Sequence, residues 1–444
     1  MLTEGQKKQL GAITRLILPE ELSKAELADW STDRTRLPGS AAGILLPEST
    51  EQVQSIIQYA NQANLAIVPS GGRTGYAGGA VARDELVLSL SKMDRLIAKD
   101  AHLPALHVQS GMITAHLQKE AEKMGFYFPV DFASSGSSQI GGNIATNAGG
   151  IHVVRYGMIR NYVQALTVVT GGGQILKTGS TVRKDNTGPD LSQVFIGSEG
   201  ILGIITEATL RLERKPRDTQ LAFLAVPDIG SVLELLRTLR SQIDLLAFEC
   251  FDARSLRSVQ EHLNIPDPFA KSAWYVIAEW EDSGTVPELD CDAQIAVSSE
   301  HKKRTWKYRE AISESLSMRT VYKNDVSIPL PRMEEYTNLV RARAAELKIE
   351  IAIFGHVGDG NLHVNVIAPD GFSKEEFRLA SERFTDYSYG LIEDMAGSIS
   401  AEHGIGILKR EAFLKHGTPG KAASLLALKR VFDPNGIMNP GKIV

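Results

Sequence analysis

Short apolar runs alternate with amphipathic helical patterns along the first half of the chain. The apolar run at 41–47 precedes an amphipathic stretch that begins after Ser49 or Thr50, continues to about Asn64 and is followed by the apolar run LAIVP. Serine and threonine are favoured at helix N-termini because their hydroxyl oxygens accept hydrogen bonds from the first backbone N–H groups. The pattern therefore predicts a β-α-β opening.

Further strand and helix patterns follow in no strict alternation. The stretches ELVLSLS, ALHVQSG, QALTVVT and QILKTG have the pattern of strands, and ITAHLQKEAEKMG has that of a helix. After the basic, proline-bearing stretch 212–218, runs such as WYVIAEW and IEIAIFGHV indicate more strands. The mixture predicts an α+β protein. Its expected parts are residues 1–216, 217–399 and a C-terminal segment 400–444.

Composition excludes several classes of protein. Of 444 residues, 43% are hydrophobic and 23% charged, as in a globular protein, and the net charge of −5 disfavours nucleic acid as a partner. No apolar run approaches the roughly 18 residues of a membrane span, so no integral membrane segment is expected. Charges interrupt the N-terminal amphipathic stretch, and there are only two cysteines. Both features favour a cytoplasmic protein.

Two glycine-rich stretches are candidates for ligand binding. Residues 69–79 contain five glycines directly after an apolar strand, and 134–150 combine glycine with Ser, Thr and Asn. Unshielded backbone amides suit a pyrophosphate, and small polar residues suit a large flat ligand. Neither stretch contains GxGxxG or a P-loop sequence, which disfavours an NAD or triphosphatase site. A tight surface turn and a self-packed Ω-loop are the alternatives.

A hairpin pattern at 351–368 carries two histidines. Asp359 and Gly360 are the pair favoured in a two-residue type I′ turn, which would place His356 directly opposite His363. Both imidazoles could then reach one metal ion, although facing histidines are more often held by hydrogen bonds alone. The residues expected on the same face are Phe354, Asn365 and Ile367.

The segment SAEHGIG adds a possible third ligand, Glu402, with His403 beside it. Two imidazoles and one carboxylate with open positions describe a catalytic zinc-type site, for which Mn²⁺, Fe²⁺ and Co²⁺ are alternatives. Successive side chains in an extended segment diverge, so His403 could address a different substrate atom. The alternatives are a surface carboxylate and a loop histidine held by backbone.

A cationic group precedes the hairpin. Arg309 and Ser313 are four residues apart in a helical pattern, and Lys323 follows in a strand-like run. A guanidinium, a hydroxyl and an ammonium can together hold a carboxylate. The alternative is that Arg309 pairs with Glu310 or Glu314 on its own helix.

Six stretches together resemble the FAD-linked oxidases of the vanillyl-alcohol oxidase superfamily, in the branch of D-lactate, glycolate and D-2-hydroxyglutarate dehydrogenases. The resemblance extends from about residue 40 to the last residue, and the stretches that carry it, in family order, are PSGGRTGYAGG, SQIGGNIATNAGGIHVVRYG, RKDNTGPDLSQVFIGSEGILGIITEA, FGHVGDGNLHVNV, SAEHGIG and DPNGIMNPGK. The resemblance implies an FAD-binding domain of two subdomains, an α+β substrate (cap) domain with an antiparallel sheet, and a C-terminal segment that returns to the flavin.

The resemblance also implies where FAD binds. The first loop would hold the pyrophosphate, and the second the flavin and ribityl region. Gly200, Ile204 and Ile205 would lie at the adenine side, while Asn439 would return to the isoalloxazine. Residues 69–79 contain no histidine that could tether the flavin, so non-covalent FAD is expected. The implied cofactor-binding residues are Pro69, Gly71, Gly72, Arg73, Thr74, Gly75, Tyr76, Gly79, Ser134, Ser138, Gly141, Gly142, Asn143, Thr146, Asn147, Gly149, Gly150, Glu199, Gly200, Ile204, Ile205 and Asn439.

The remaining implications concern chemistry. The metal ligands would be His356, His363 and Glu402, and His403 would contact the substrate and act as base for hydride transfer from C2 to flavin N5. The substrate would contact Arg309, Ser313, Lys323 and Asn361. This second cationic group favours a C4 or C5 D-2-hydroxy diacid.

Other activities and partners stay open at this stage. A D-lactate or glycolate dehydrogenase is the alternative within the family, and a non-catalytic flavin-fold scaffold subunit is the alternative from another class. The expected electron acceptor is an electron-transfer flavoprotein or a quinone, and a homodimer is one possible assembly.

Overall fold

The computed structural model describes residues 2–269 and 271–444. By its internal contacts the chain forms two compact units. The first comprises Met1–Gly150, Met158–Lys215 and Glu402–Val444, and the second comprises Ile151–Gly157 and Pro216–Ala401. No described helix is both long enough and apolar enough to cross a bilayer.

The helices and strands are numbered along the chain. Those of the first 150 residues are α1 (Glu4–Ile13), β1 (Arg15–Ile17), α2 (Lys24–Ser31), β2 (Ser40–Leu46), α3 (Thr50–Ala63), β3 (Ile67–Ser70), β4 (Arg83–Ser89), β5 (Leu96–Asp100), β6 (Ala105–Gln109), α4 (Thr114–Lys123), β7 (Phe126–Tyr127) and α5 (Ile140–Ala145). Those up to residue 215 are α6 (Val153–Tyr156), β8 (Val163–Thr170), β9 (Ile175–Gly179), α7 (Ser192–Phe195), β10 (Gly203–Arg211) and β11 (Glu213–Arg214).

The rest of the chain continues this numbering. Those of 216–401 are β12 (Thr219–Val226), α8 (Ile229–Gln242), β13 (Leu245–Asp252), α9 (Ala253–Leu263), β14 (Trp274–Glu281), β15 (Asp292–Ile295), α10 (Ser299–Glu310), α11 (Ile312–Ser317), β16 (Val321–Ser327), α12 (Met333–Glu346), β17 (Glu350–Gly355), β18 (Asn361–Ile367) and α13 (Lys374–Asp394). The last are α14 (Arg410–His416) and α15 (Lys421–Phe432).

The first unit opens with the expected β-α-β arrangement. Strands β2, β4 and β3 are parallel, and β1 adds an antiparallel edge in the order β1-β2-β4-β3. The crossover helix α3 begins after Ser49, whose hydroxyl accepts from the Gln52 N–H, and ends at Asn64 in the left-handed conformation. Apolar clusters cover both faces of this sheet. Both glycine-rich stretches belong to this unit, and the first begins in β3.

An antiparallel sheet of order β5-β6-β10-β8-β9 completes the main framework of the first unit. Residues 171–173 form the glycine turn between β8 and β9, as the sequence predicts. The chain after Asp433 forms no regular element in the structure, also as expected. Its Asp433 carboxylate instead accepts hydrogen bonds from the Ile437 and Met438 N–H groups.

The second unit is built on an antiparallel sheet of order β15-β12-β14-β13-β17-β18-β16. Helices α9 and α11 contribute to the core on one face, where Phe223, Phe251 and Tyr275 form an aromatic cluster. Residues 151–157, which sequence reasoning places in the first domain, group with this unit. The close approach of Val154 to Gly358 accounts for the grouping, because a β-carbon on that glycine would lie 2.8 Å from the valine methyl.

The predicted histidine hairpin exists, but its predicted register is wrong by two residues. His363 pairs with Phe354, not with His356. The connection is not a two-residue turn, because Val357–Asp359 form a short 3₁₀ turn in which the Asp359 N–H donates to the His356 carbonyl. His356 follows the last strand residue, Gly355, and begins this turn, so the alternation of strand side chains does not determine its orientation. The imidazoles of His356 and His363 are nevertheless neighbours, with ring centroids 5.7 Å apart.

Candidate functional site

A cleft in the first unit collects most of the glycine-rich backbone. It contains about 960 Å³ of empty space, part of it open to solvent. The predicted cofactor residues that line it are Pro69, Gly71, Gly72, Arg73, Thr74, Gly75, Gly79, Gly141, Gly142, Asn143, Thr146, Glu199, Gly200, Ile204 and Ile205. Residues from three separate stretches of sequence thus meet around one cavity.

The glycines of this cleft have two different roles. A β-carbon at Gly72 would lie 2.2 Å from the Ser137 carbonyl oxygen, and one at Gly141 would lie 2.7 Å from the Ser110 β-carbon. These glycines allow close packing between loops. Gly75 and Gly142 have nothing within 4 Å of such a β-carbon. Their backbone borders open space, as a surface that receives a ligand requires.

Seven of the predicted cofactor residues are not among those that line the cleft. The Ser138 hydroxyl is buried against Thr114, and a β-carbon at Gly150 would lie 2.0 Å from the Asp131 carbonyl. The Asn439 amide donates to the carbonyls of Gly79 and Glu199, so it links loops that do line the cleft. The full set is Tyr76, Ser134, Ser138, Asn147, Gly149, Gly150 and Asn439.

Sequence reasoning missed several residues that do line the cleft. They are Asp33, Ser70, Ala77, Ala80, Leu90, Gln139, Ala145, Ser198, Gly203 and, though it was proposed for another role, His403. Most are small, and their density beside the glycine stretches is the signal that could have identified them. Gln139 carries a buried side-chain oxygen without a hydrogen-bond partner among the described residues. A polar ligand in the cleft could satisfy that oxygen.

A carboxylate binds the backbone shortly after His403. The Glu199 oxygens accept hydrogen bonds from the Ile405 and Gly406 N–H groups at 2.7 and 2.8 Å, two and three residues after His403 in sequence. The His403 ring also lies 5.2 Å from that of Tyr76. Burial raises the pKa of Glu199 to about 7, against the opposing effect of the two N–H groups. Glu199 therefore fixes the segment that carries His403, in addition to lining the cleft.

The second unit brings together the two histidines of the hairpin. Their ligand nitrogens lie within 4.8 Å of each other. His356 Nδ1 lies 2.6 Å from Oε1 of Glu249, and His363 Nδ1 lies 3.7 Å from Oδ1 of Asp325. The carboxylate hydrogen-bonded to Nδ1 of His356 leaves Nε2 as the nitrogen that can bind a metal, as expected of a metal-binding histidine. The 3.7 Å separation at His363 is too long for a hydrogen bond, so Asp325 contributes charge there without fixing the tautomer.

Both carboxylates were missed by sequence reasoning. Glu249 and Asp325 are each 1% exposed or less. Burial tends to raise the pKa of Glu249, but the charges of His356 and Arg309 outweigh that effect and hold the pKa below its ordinary value. Glu249 lies in the otherwise apolar run LLAFEC, and a carboxylate in a buried strand requires a partner. That rule could have identified it.

The two asparagines of β18 differ in their contacts. The Asn361 amide donates to Asp325 Oδ1 and to the Val326 carbonyl, so its predicted contact with substrate could use only its side-chain oxygen. Asn365 is buried, pairs with Lys323 on the next strand, and neither its nitrogen nor its oxygen has a partner among the described residues. The side-chain oxygen of Asn361 is likewise buried without a partner among the described residues, so both asparagines present polar atoms that a ligand could use.

The predicted anion clamp is only partly assembled. Arg309 is buried, with Nε 2.8 Å from Glu249 Oε2 and its guanidinium 5.0 Å from the centre of the Phe354 ring. The Nε–H does not point at the oxygen, so the contact is an ion pair and not a well-aligned hydrogen bond. Ser313 is exposed in α11, just beyond the end of α10. The Lys323 ammonium lies 3.4 Å from the Ser317 hydroxyl, and desolvation lowers its pKa although the residue is exposed.

Glu402 is the first residue of the last segment of the first unit, and His403 follows it. Within the second unit, Ser398 pairs through its backbone with Ser327 at the end of β16, the strand that carries Asp325. Only three residues separate Ser398 from Glu402. A short segment of the chain therefore connects the second unit to the first at this point.

Comparison with family models defines the class of protein. Residues 41–179 match an FAD binding domain, and residues 215–443, more than half of the chain, match the C-terminal domain of FAD linked oxidases. The chain belongs to the FAD-linked oxidase family. It is an FAD-dependent oxidoreductase, and the glycine-lined cleft is the part of the first unit whose residues fit that cofactor.

Comparison with individual proteins shows which members of the family this chain is similar to. The chain is 41% identical over 433 residues to a D-2-hydroxyglutarate dehydrogenase of Stutzerimonas stutzeri, covering 94% of this chain and 93% of that one. It is 36% identical to a mitochondrial D-2-hydroxyglutarate dehydrogenase of Danio rerio, with coverage of 96% and 82%.

Solved structures show the same fold at low sequence identity. A p-cresol methylhydroxylase aligns with a TM-score of 0.75 at 15% identity, covering 100% of this chain and 97% of that one. A 4-ethylphenol oxidase of Gulosibacter chungangensis aligns with a TM-score of 0.72 at 15% identity, covering 98% and 96%. These are vanillyl-alcohol oxidase-type flavoenzymes, as the expected fold class requires.

Proposed function

We propose that this protein oxidises D-2-hydroxyglutarate to 2-oxoglutarate with a non-covalently bound FAD and a divalent metal. The observation that carries the proposal is the sheet face of the second unit, where two histidines backed by buried carboxylates neighbour Arg309 and Lys323. Such a face offers metal ligands and separate cations, which a substrate with two carboxylates would use. Similarity to D-2-hydroxyglutarate dehydrogenases over most of the chain supports the same substrate.

The metal would be held by His356, His363 and Glu402. Two imidazoles and one carboxylate fit Zn²⁺ best, with Mn²⁺, Fe²⁺ and Co²⁺ as alternatives. The carboxylate hydrogen-bonded to Nδ1 of His356 fits a metal-binding tautomer, and Asp325 places a second negative charge 3.7 Å from Nδ1 of His363. Glu402 would be the third ligand, as the family resemblance implies. Bound there, the ion would act as a Lewis acid that lowers the pKa of a coordinated hydroxyl.

The residues of this chain would orient the substrate and move one proton. Bound FAD supplies the hydride acceptor. Lys323 and Arg309, the latter through its terminal guanidinium nitrogens, would bind the distal carboxylate with Ser313 and Asn365 nearby. Asn361 would hold Asp325 in place, and its side-chain oxygen would be its only contact with substrate. His403, which lines the cleft, would accept the proton of the 2-hydroxyl.

Anaerobic reduction of the flavin by a panel of acids tests the substrate. We expect D-2-hydroxyglutarate to bleach the visible flavin absorbance fastest, followed by D-malate, with D-lactate and glycolate much slower. Faster bleaching by D-lactate or glycolate would assign the protein to the other activity of this family. A coloured protein that none of the acids bleaches would indicate a non-catalytic scaffold.

Removal of the metal and of the flavin tests the two cofactors separately. Dialysis against a chelator should abolish reduction by D-2-hydroxyglutarate and leave the flavin colour, and added Zn²⁺ should restore activity. Acid precipitation should release the flavin into the supernatant, because loop 69–79 has no histidine to retain it. A yellow precipitate would contradict non-covalent binding of FAD. Activity that survives complete metal removal would contradict the metal requirement.

The remaining predictions from sequence concern the setting of the reaction. We propose an electron-transfer flavoprotein or a quinone as the acceptor and a cytoplasmic location. Reoxidation of the reduced protein by each acceptor, measured side by side, would decide between them.

A further inference from the structure

Glu249 is a buried carboxylate that contacts both His356, a proposed metal ligand, and Arg309, a proposed substrate-binding residue. Its Oε1 lies 2.6 Å from Nδ1 of His356, and its Oε2 lies 2.8 Å from Nε of Arg309. The residue is fully buried in β13, between strands β14 and β17. A buried charge of this kind is costly unless both oxygens are compensated, so the three side chains form one unit.

The surrounding packing limits how the Glu249 carboxylate can move between its two partners. Arg309 is also held over the Phe354 ring at 5.0 Å, and Phe354 pairs with His363 on the next strand. Rotation of the Glu249 carboxylate toward one partner must therefore weaken its contact with the other, because neither partner can follow it far in a packed interior. Any event that strengthens the His356 contact alters the position or charge compensation of Arg309.

We propose that Glu249 is a positioning residue that couples metal binding at His356 to recognition of the distal substrate carboxylate by Arg309. This inference rests on the proposed function. A metal on Nε2 fixes His356 as an Nδ1–H donor and strengthens its bond to Glu249. Because coupling free energies are reciprocal, substrate binding at Arg309 must change metal affinity by the same factor.

The competing explanation is that Glu249 only neutralises Arg309 inside the core. In that case its removal would reduce stability and leave metal affinity unchanged. Asp252 provides a matched control, since it lies in the same strand, is 1% exposed, and binds Arg341 at 2.9 Å and Ser255 but no histidine.

The first experiment compares Glu249→Gln with Asp252→Asn in the FAD-loaded full-length protein. Zn²⁺ affinity is measured without substrate, by competition with a chromophoric chelator. We expect Glu249→Gln to weaken zinc binding about 10–100-fold, the usual effect of losing a carboxylate behind a metal-binding histidine. Its KM for D-2-hydroxyglutarate should also rise more than its KM for D-lactate. Asp252→Asn should lower thermal stability and change neither quantity.

The second experiment tests the coupling itself. Arg309→Met should tighten zinc binding at least about threefold, because the metal ion then compensates the carboxylate that the guanidinium no longer neutralises. In the Glu249→Gln background the same substitution should leave zinc affinity unchanged. If Glu249→Gln does not fold, Arg309→Met alone and Glu249→Asp, which keeps the charge but cannot span both partners, provide the measurement.

Unchanged zinc affinity in Glu249→Gln, or an Arg309→Met effect that persists in the double variant, would overturn the coupling. These outcomes are distinct from a failure of the proposed function. In that case the unmodified protein would itself bind no zinc, or D-2-hydroxyglutarate would not reduce its flavin.

Discussion

The candidate sites of the two units are built from opposite kinds of groups. The cleft of the first unit is formed largely by glycine and other small residues, so the main chain itself is the binding surface. The sheet face of the second unit is formed by long side chains whose charges are compensated by Glu249 and Asp325. The first region exposes backbone because its residues have small or no side chains, whereas the second region holds long side chains in place through ion pairs.

This difference determines how each region responds to substitution. In a main-chain surface, an added side chain disrupts the fold where two loops are in contact. Where the backbone borders open space, the fold tolerates the added side chain and only ligand binding is weakened. A side-chain site is damaged when a partner is removed, because a buried charge is then left alone. The contrast can be tested by substitutions in each region, and His403, which lines the cleft but would do chemistry, is the most sensitive position.

His403→Ala should reduce the rate of flavin reduction about 10³-fold, the usual contribution of a positioned base, while FAD stays bound. Stopped-flow absorbance after mixing with D-2-hydroxyglutarate measures the rate, and the visible spectrum measures FAD content. His416→Ala, at the end of α14 in the same C-terminal segment, is the control. Near-normal reduction in His403→Ala would rule out the base assignment.

Glu199→Gln should change how stability depends on pH. A carboxyl whose pKa rises from 4.5 to about 7 on folding contributes stability that is complete below pH 4.5 and is lost as the pH rises through 7. Relative to the wild type, the variant should therefore gain about 3 kcal/mol between pH 4.5 and pH 8. Urea unfolding followed by flavin release measures it. The exposed Glu411→Gln is the control, and parallel pH curves for Glu199→Gln and wild type would show that Glu199 is not shifted.

Gly72→Ala and Gly75→Ala form a matched pair within one loop. The first places a methyl 2.2 Å from the Ser137 carbonyl, and the second places it in open space. We expect Gly72→Ala to cost about 2 kcal/mol of stability and to lower FAD content, because two loops must move apart. Gly75→Ala should keep its fold and show only weakened FAD affinity. Equal behaviour of the two variants would mean that the loop is not tightly packed.

Lys323→Met should have the smallest effect. Loss of one exposed cation should cost about 1 kcal/mol, a roughly fivefold rise in the KM for D-2-hydroxyglutarate, with no change for D-lactate. Steady-state kinetics with both acids measures the difference. A similar rise for both acids would place Lys323 away from the distal carboxylate.

Local features of the fold could be predicted because their causes are local. Residues close in sequence determine the cap at Ser49, the turn at 171–173 and the lack of a helix or strand after Asp433. The hairpin register could not, since Asp359 and Gly360 suit a two-residue turn as well as the 3₁₀ turn that forms. Only the pairing of the complete strands decides between them.

The candidate site also has features that the sequence predicts and features that depend on contacts between distant residues. Glycine density identified the loops of the cleft, but not which glycines face the cavity and which face another loop. Glu249 is 107 residues from His356, so their contact depends on strand order across the sheet. The single acidic residue in an apolar strand was the available clue. It indicates that a partner exists without identifying it.

The 3₁₀ turn between the histidine strands has a consequence for how this hairpin can change length. His356 is the residue that begins this turn, whereas His363 lies within β18. A change in the length of the turn therefore moves the His356 imidazole and leaves intact the strand pairing that holds His363. Relatives with a working metal site should therefore keep the length of this turn.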